Sequence, residues 1–414
     1  MSRKNILVAQ SGGPTVAINA SLAGVVAAGL NNANYGTVYG AIYGILGVLD
    51  DNLIDLTKKA DADPDFIETL KLSPSMYLGS CRHKLPDYED DDNPYAFIFN
   101  QFKKYNIGAF FYIGGNDSMD TTLKLSHYGA QIGSDIRIIG IPKTIDNDLC
   151  VTDHTPGYGS AAKYIATSML EISHDTFIYS VPSVTIVEIM GRDAGWLTAA
   201  SALARNEYNS APHLIYFPEV AFDKETFIND LKKQLTVRNN VIVAVSEGIR
   251  NAGGQYISAS VAVNDQFGHQ QLSGTGKCLE YLVKENLNIK VRSIELNVLQ
   301  RCASHQASLT DINESFTLGK KAVDYADEGQ TKCMLIMKRV SDEPYGIEID
   351  TVDINTIANK DKPIPREWIN DAGNDITPEL KRYMAPLIMG ETPVKYQGGL
   401  PIYLPVDHLD NNIQ

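Results

Sequence analysis

The chain has no stretch of about eighteen unbroken apolar residues, the length a helix needs to cross a bilayer. Its opening residues, Met1 to Gln10, carry neither the apolar core nor the small-residue cleavage pattern of a secretion signal. A cytoplasmic protein with no membrane partner is expected. Cysteine is scarce: Cys81, Cys150, Cys278, Cys302 and Cys333 are scattered through 414 residues, with no Cys-x-x-Cys and no nearby histidine pair. That argues against a zinc site, and all five are read as reduced thiols. Positive charge is also short, 36 basic against 50 acidic side chains and a net charge of -14. Nucleic acid and anionic membranes would be repelled at long range, so neither is expected as a partner, and any phosphate-binding site must be local.

What is present reads as an ordinary globular chain, 44% hydrophobic and 21% charged, whose length suits two α/β lobes. Short β-branched runs alternate with longer helical patterns, the signature of mostly parallel sheets covered by helices. The strands are expected at Asn5–Gln10, Thr37–Ile42, Gly108–Ile113, Arg137–Ile141, Val184–Ile189, Leu214–Phe217 and Val241–Ser246, with later ones at Lys290–Leu296 and Cys333–Val340. Apolar positions recur every three or four residues in Ser160–Ser173, Lys224–Arg238 and Thr310–Ala326, which predicts helices there. No internal repeat is visible. The acidic run Asp87 to Asp92 reads as a solvated loop, and the proline-rich stretch after Thr351 as an irregular extension packed on the core.

In an open parallel sheet, ligands collect beyond the carboxyl ends of the strands. The first strand runs into Ser11-Gly12-Gly13-Pro14-Thr15, a turn that lets backbone N–H groups approach an anion or that serves only steric needs. Gly108–Ile113 is followed by Gly114-Gly115-Asn116-Asp117-Ser118, where Asp117 offers a carboxylate for magnesium or charge discrimination, or Asp117 or Ser118 merely caps the next helix. Arg137–Ile141 leads to Pro142-Lys143-Thr144-Ile145-Asp146-Asn147-Asp148, which suits a general base beside a phosphate-binding cation. Met190-Gly191-Arg192 after Val184–Ile189, Glu247 after Val241–Ser246, and the arginines Arg292 and Arg301 add groups for a sugar phosphate. Ser273-Gly274-Thr275-Gly276-Lys277-Cys278 imitates a nucleotide-binding P-loop, but its glycines are wrongly spaced and Cys278 stands where a magnesium-holding hydroxyl belongs.

Taken in order, Ser11-Gly12-Gly13, Leu78-Gly79-Ser80-Cys81-Arg82, Gly114 to Ser118, Thr144 to Asp148, Met190-Gly191-Arg192 and Leu299-Gln300-Arg301 resemble the phosphofructokinases over residues 5 to 340. The resemblance implies two doubly wound, Rossmann-like lobes with mostly parallel sheets. A donor lobe would comprise residues 1–143 plus about 302–350, an acceptor lobe 144–301, and the extension 351–414. It implies phosphoryl transfer to the 1-hydroxyl of fructose 6-phosphate, with Asp146 as general base. The acceptor would be held by Thr144, Asp146, Asp148, Met190, Gly191, Arg192, Glu247, Arg292 and Arg301. Gly12, Gly13, Arg82, Gly115 and Lys143 would hold the donor, Asn116 and Asp117 would hold Mg2+, and Lys143, Asp117 and Arg192 would join Asp146 in catalysis. A homodimer or homotetramer is expected.

ATP-using members of the family carry glycine where this chain has Asp117 and again where it has Lys143, so the pair looks like the pyrophosphate-dependent branch. A carboxylate at 117 would stand near the α-phosphate of ATP, and like charges about 4 Å apart repel by roughly 4 kcal/mol at an effective dielectric near 20. An ATP-dependent enzyme and a non-catalytic subunit of the same fold are the alternatives. The chain also departs from the family. Asn116 replaces a magnesium-linked aspartate, Val298 a pocket histidine, Ser183 an arginine that reaches a neighbouring subunit, and Ala23 and Ala27 two effector-binding arginines. Regulation by ADP or phosphoenolpyruvate at that last site is therefore not expected, and the sequence does not rank fructose 6-phosphate against a seven-carbon sugar phosphate, which presents a similar 1-hydroxyl and terminal phosphate.

Overall fold

The computed structural model describes residues 3–258, 274–357 and 361–412. Its strands are β1 (Lys4–Gln10), β2 (Tyr35–Ala41), β3 (Leu53–Asp55), β4 (Ile107–Gly114), β5 (Arg137–Pro142), β6 (Ser183–Ile189), β7 (Leu214–Tyr216), β8 (Asn240–Ser246), β9 (Lys290–Glu295), β10 (Cys333–Asp342) and β11 (Tyr345–Asp353). A seven-stranded sheet has the order β11-β10-β5-β4-β1-β2-β3, and a four-stranded sheet the order β7-β8-β6-β9. Pairings within the second sheet are all parallel, and in the first only the edge strands β3 and β11 run antiparallel. The sequence-based strands all form, with bounds shifted by at most two residues. The two antiparallel edges were not expected from the sequence, because β3 is too short to show alternation and β11 carries a charge every second or third residue.

Each sheet buries apolar side chains on both faces. Ile6, Val8, Phe111 and Ile139 face one way and Leu7, Ala9, Phe110 and Tyr112 the other, which is why their strands read as unbroken apolar runs. The helices Ile18–Asn31 and Leu309–Asp327 cover one face in close contact. A Cβ on Gly24 would stand 2.1 Å from Phe316 O, and one on Gly319 would stand 2.0 Å from Ser21 O, so only glycine allows the approach. Ala23 is fully buried there.

The extension is more ordered than its prolines suggest. It forms a helix at Pro378–Met384 and several short 3-10 turns. Ile364, Ile369, Leu380, Tyr383 and Met384 pack with Trp196 and Leu197 beside the second sheet, while Leu404 and Leu409 reach the core of the first. The acidic run Asp87 to Asp92 is solvent-facing, ahead of the helix Asn93–Lys104. All five cysteines are free thiols, and among the described residues no helix is long and apolar enough to cross a membrane.

Candidate active site

Strands β1, β4 and β5 are neighbours, so the turns that follow them meet at one sheet edge. Ser11 N donates to Ile113 O at 2.9 Å, and Lys143 N donates to Gly114 O at 2.9 Å. Gly12 has φ +82°, the left-handed conformation that favours glycine, and a Cβ there would stand 3.0 Å from Lys143 Nζ. Lys143 is 2% exposed and donates from Nζ to Gly13 O at 2.7 Å. Burial of its ammonium, with Arg301 adding repulsion, pulls its pKa down to about 7 against the attraction of Asp146 and Asp148. A Cβ on Gly13 would meet Arg301 at 3.6 Å, and one on Gly115 would meet Lys143 O at 3.5 Å. Gly12, Gly13, Gly115 and Lys143 are thus gathered at one place, and Arg82 is exposed one residue beyond Cys81, whose carbonyl accepts from Ser11 Oγ at 3.3 Å.

The helix Asn116–Gln131 starts here, with Gly115 as its N-cap and no side-chain cap bond. Neither Asp117 nor Ser118 therefore caps it. Asp117 lies exposed in the first turn, where a carboxylate complements the helix dipole. That exposure changes the electrostatic expectation: in a water-like dielectric the same charge pair is worth about 1 kcal/mol rather than four. Asn116 Nδ2 donates to Asp361 Oδ1 at 3.1 Å, and Asn116 Oδ1 is buried without a hydrogen-bond partner.

The loop after β5 carries the carboxylates. Asp146 N donates to Thr144 Oγ1 at 3.1 Å, and Thr155 Oγ1 donates to Thr144 O at 2.7 Å. Burial, and then Glu247, raise the Asp146 carboxyl to about 6, while Arg192 and Lys143 oppose the rise. Burial and the neighbouring Asp146 and Asp361 push Asp148 up to about 7. From the second sheet, burial holds Glu247 near 7, and its Oε1 accepts from Gly191 N at 3.4 Å. Met190 N donates to Gln300 Oε1 at 3.3 Å. Gly191 has φ +122°, and a Cβ on Gly248 would stand 1.9 Å from Arg192 O, so both glycines are needed to bring the turns after β6 and β8 together. Arg192 acts electrostatically on both Asp146 and Glu247, and its Nε is buried with no partner. Arg301 lies between Gly13 and Glu247.

Arg292 is not brought to this cleft within one chain. It sits in the first half of β9 and donates to Asp175 Oδ2 at 2.6 Å and Thr176 Oγ1 at 3.2 Å, because strand alternation and its early position aim it at the end of the helix Tyr158–Phe177. The P-loop imitation is resolved as well, although Ser273 lies outside the described residues. Gly276 N donates to the Glu188 carboxylate at 2.7 Å and Thr275 Oγ1 donates to Glu247 O at 2.9 Å, so a protein carboxylate takes the place an anion would need. Sequence reasoning did not find Lys362, Tyr383 or Gln300. The first two come from the extension, which carries no motif, and Gln300 was visible only as the neighbour of Arg301.

Among known proteins, the Phosphofructokinase family profile matches residues 5–326. A protein of Halomonas elongata named pyrophosphate--fructose 6-phosphate 1-phosphotransferase is 40% identical over 404 residues, 97% of this chain and 96% of that one. One of the same name from Xanthomonas campestris pv. campestris is 41% identical over 98% of this chain and 96% of its own. The crystal structure of a pyrophosphate-dependent phosphofructokinase from Nitrosospira multiformis superposes with a TM-score of 0.88 at 37% identity, covering 97% of this chain and 96% of that one. With the profile spanning most of the chain and these relatives nearly all of it, this protein belongs to the phosphofructokinase family.

Proposed function

We propose that the chain is a pyrophosphate-dependent phosphofructokinase, transferring a phosphoryl group from pyrophosphate to the 1-hydroxyl of fructose 6-phosphate and running reversibly. The observation that carries the donor assignment is Lys143, a buried ammonium bonded across the glycine turn at Gly13 O. Its Nζ occupies the space above Gly12, where it would supply positive charge to the two phosphates of the donor.

In this reading Asp146 takes the proton of the 1-hydroxyl. The freed oxygen attacks one phosphorus of pyrophosphate, the bridging P–O bond breaks, and inorganic phosphate leaves. A carboxyl raised to about 6 is matched to proton transfer near neutrality. Lys143, Arg192 and Arg301 stabilise the charge on the transferring and leaving groups, and the unpartnered Arg192 Nε is a donor ready for a phosphate oxygen. Thr144, Asp148, Met190, Gly191 and Glu247 orient the sugar. Mg2+, when bound, would neutralise pyrophosphate charge. The unpartnered Asn116 Oδ1 fits an oxygen ligand, with Asp117 beside it and pyrophosphate oxygens as the remainder. Among the described residues no group of three or more acidic, histidine or cysteine side chains could hold a metal, which suits an ion carried largely by its substrate.

Cytoplasmic placement and a homodimer or homotetramer belong to the same proposal. Arg292, turned away from its own cleft, would serve the acceptor site of a second copy by exchanging its bond to Asp175 for a phosphate oxygen. Initial rates with pyrophosphate and with ATP, against fructose 6-phosphate and sedoheptulose 7-phosphate, with and without Mg2+, test the whole. Turnover with pyrophosphate and Mg2+ is expected, and turnover with ATP alone would overturn the donor assignment.

A further inference from the structure

The segment Asp361–Ile364 of the extension lies against the loop that carries Asp146 and Asp148. Lys362 N donates to Asp148 O at 2.7 Å, and Leu149 and Asp361 form an isolated antiparallel bridge. The side chain then doubles back. Lys362 Nζ donates to Asp153 O at 2.8 Å and Thr152 O at 3.1 Å, and lies 3.5 Å from Asn147 Oδ1. Its carbonyl accepts from Trp196 Nε1 at 2.8 Å, and its ammonium stands 5.3 Å from the centre of that ring. One residue therefore touches the outgoing leg of the loop at Asn147 and Asp148 and the returning leg at Thr152 and Asp153.

The returning leg is a firm anchor. His154 is bonded on one side to Asp153 and on the other to Glu314, each at 2.8 Å, and Arg339 donates to Asp153 Oδ1 at 3.1 Å and to Tyr383 O at 2.9 Å. Both sides of the loop carry a left-handed residue, Asn147 on the outgoing leg and Val151, with φ 71°, just before the returning one. Asn147 has φ 55°, a left-handed conformation that a non-glycine residue keeps where its surroundings hold it. Those surroundings are Lys362 and Tyr383, whose hydroxyl accepts from Asn147 Nδ2 at 2.9 Å and donates to Asp153 O at 2.6 Å.

We propose that Lys362 is a positioning residue of the phosphoryl transfer: it ties the outgoing leg of the catalytic loop to the anchored returning one and so keeps Asp146 and Asp148 aimed at the reacting atoms. The proposal rests on the functional reading above, in which Asp146 is the base. Methionine at 362 would match the length of lysine without donating, leaving two carbonyls short of a hydrogen-bond donor and the loop free to relax.

The test compares wild-type protein with Lys362→Met and Tyr383→Phe, by steady-state kinetics with pyrophosphate and fructose 6-phosphate and by hydrogen exchange over residues 144–153. For Lys362→Met, kcat is expected to fall about 10- to 100-fold, the cost of misplacing a catalytic group by about 1 Å. KM for either substrate should stay within about threefold, because an interaction used mainly in the transition state is lost. Exchange over 144–153 should quicken while that of β1 and β4 does not. Tyr383→Phe removes one hydroxyl and should give the same pattern at about 3- to 10-fold in kcat, so it carries the test if Lys362→Met does not fold. Unchanged exchange in the loop, or a KM rise with kcat intact, would overturn the positioning role while leaving the functional reading standing. Wild-type protein inactive with pyrophosphate and fructose 6-phosphate would overturn both.

Discussion

In the proposed reading the donor side of the cleft is built largely from backbone and one cation, whereas the acceptor side is built from side chains that oppose one another. Gly12, Gly13 and Gly115 present bare main chain around Lys143. Beside them, Asp146 and Asp148 face Glu247 from the second sheet, and burial lifts each towards neutrality, helped by Glu247 at Asp146, by Asp146 and Asp361 at Asp148, and by Glu188 at Glu247. An anion can settle on the first surface with little rearrangement. The second is poised to exchange protons, and the arginines Arg192 and Arg301 keep it from becoming wholly neutral. In the proposed reading, anion binding and proton transfer rest on different chemistry within one cleft, and because Lys143 and Asp146 share the loop after β5, Lys143 is the group through which one side senses the other.

Breaking the acceptor side should cost most. Asp146→Asn keeps the shape of the base but cannot accept the proton, and kcat is expected to fall by about 10²- to 10⁴-fold, measured by coupled assay of fructose 1,6-bisphosphate. On the donor side, Lys143→Met should lower kcat by about 10²- to 10³-fold, the scale of losing one charge-stabilising donor. A smaller loss than at many surface lysines would remove Lys143 from the mechanism.

The pH profile sharpens the same contrast. Asp146 must be ionised and has its carboxyl at about 6, so kcat/KM should fall as pH drops through that value. Lys143 must be protonated and has its ammonium at about 7, so kcat/KM should fall again as pH rises through that value, giving a narrow bell. Asp146→Asn should abolish the acid limb, and an acid limb that survives would mean that another group titrates there. The smallest effect is expected at Asp117. Because it is exposed, Asp117→Gly should improve ATP relative to pyrophosphate by only about fivefold, the equivalent of about 1 kcal/mol. A swing of several hundredfold would transfer donor selection from Lys143 to Asp117.

Much of this was legible in the chain. The strands β1, β4, β5, β6 and β8 are apolar on both faces and end in glycine or charge, so their positions and the polar turns after them stand out without coordinates. Asp146, Lys143, Arg192 and Glu247 lie within a few residues of such ends and were found for that reason. Arg292 looked equivalent by the same rule and was not, because a residue early in its strand points away from the carboxyl edge. Lys362 and Tyr383 could not be seen: they sit in a proline-interrupted segment with no periodicity, and their importance lies in what they touch some 200 residues away in the chain.

The sequence by itself determined the α/β class, the strand ends and the chemical identity of the groups placed there, since these follow from local patterning that each segment carries on its own. Only the tertiary structure decided which groups share a cleft, how far burial moves their protons, that Asp117 faces water while Lys143 does not, and that the extension straps the catalytic loop. Those outcomes depend on contacts between distant segments and on the loss of water around charges, and neither is written in any single stretch of the chain.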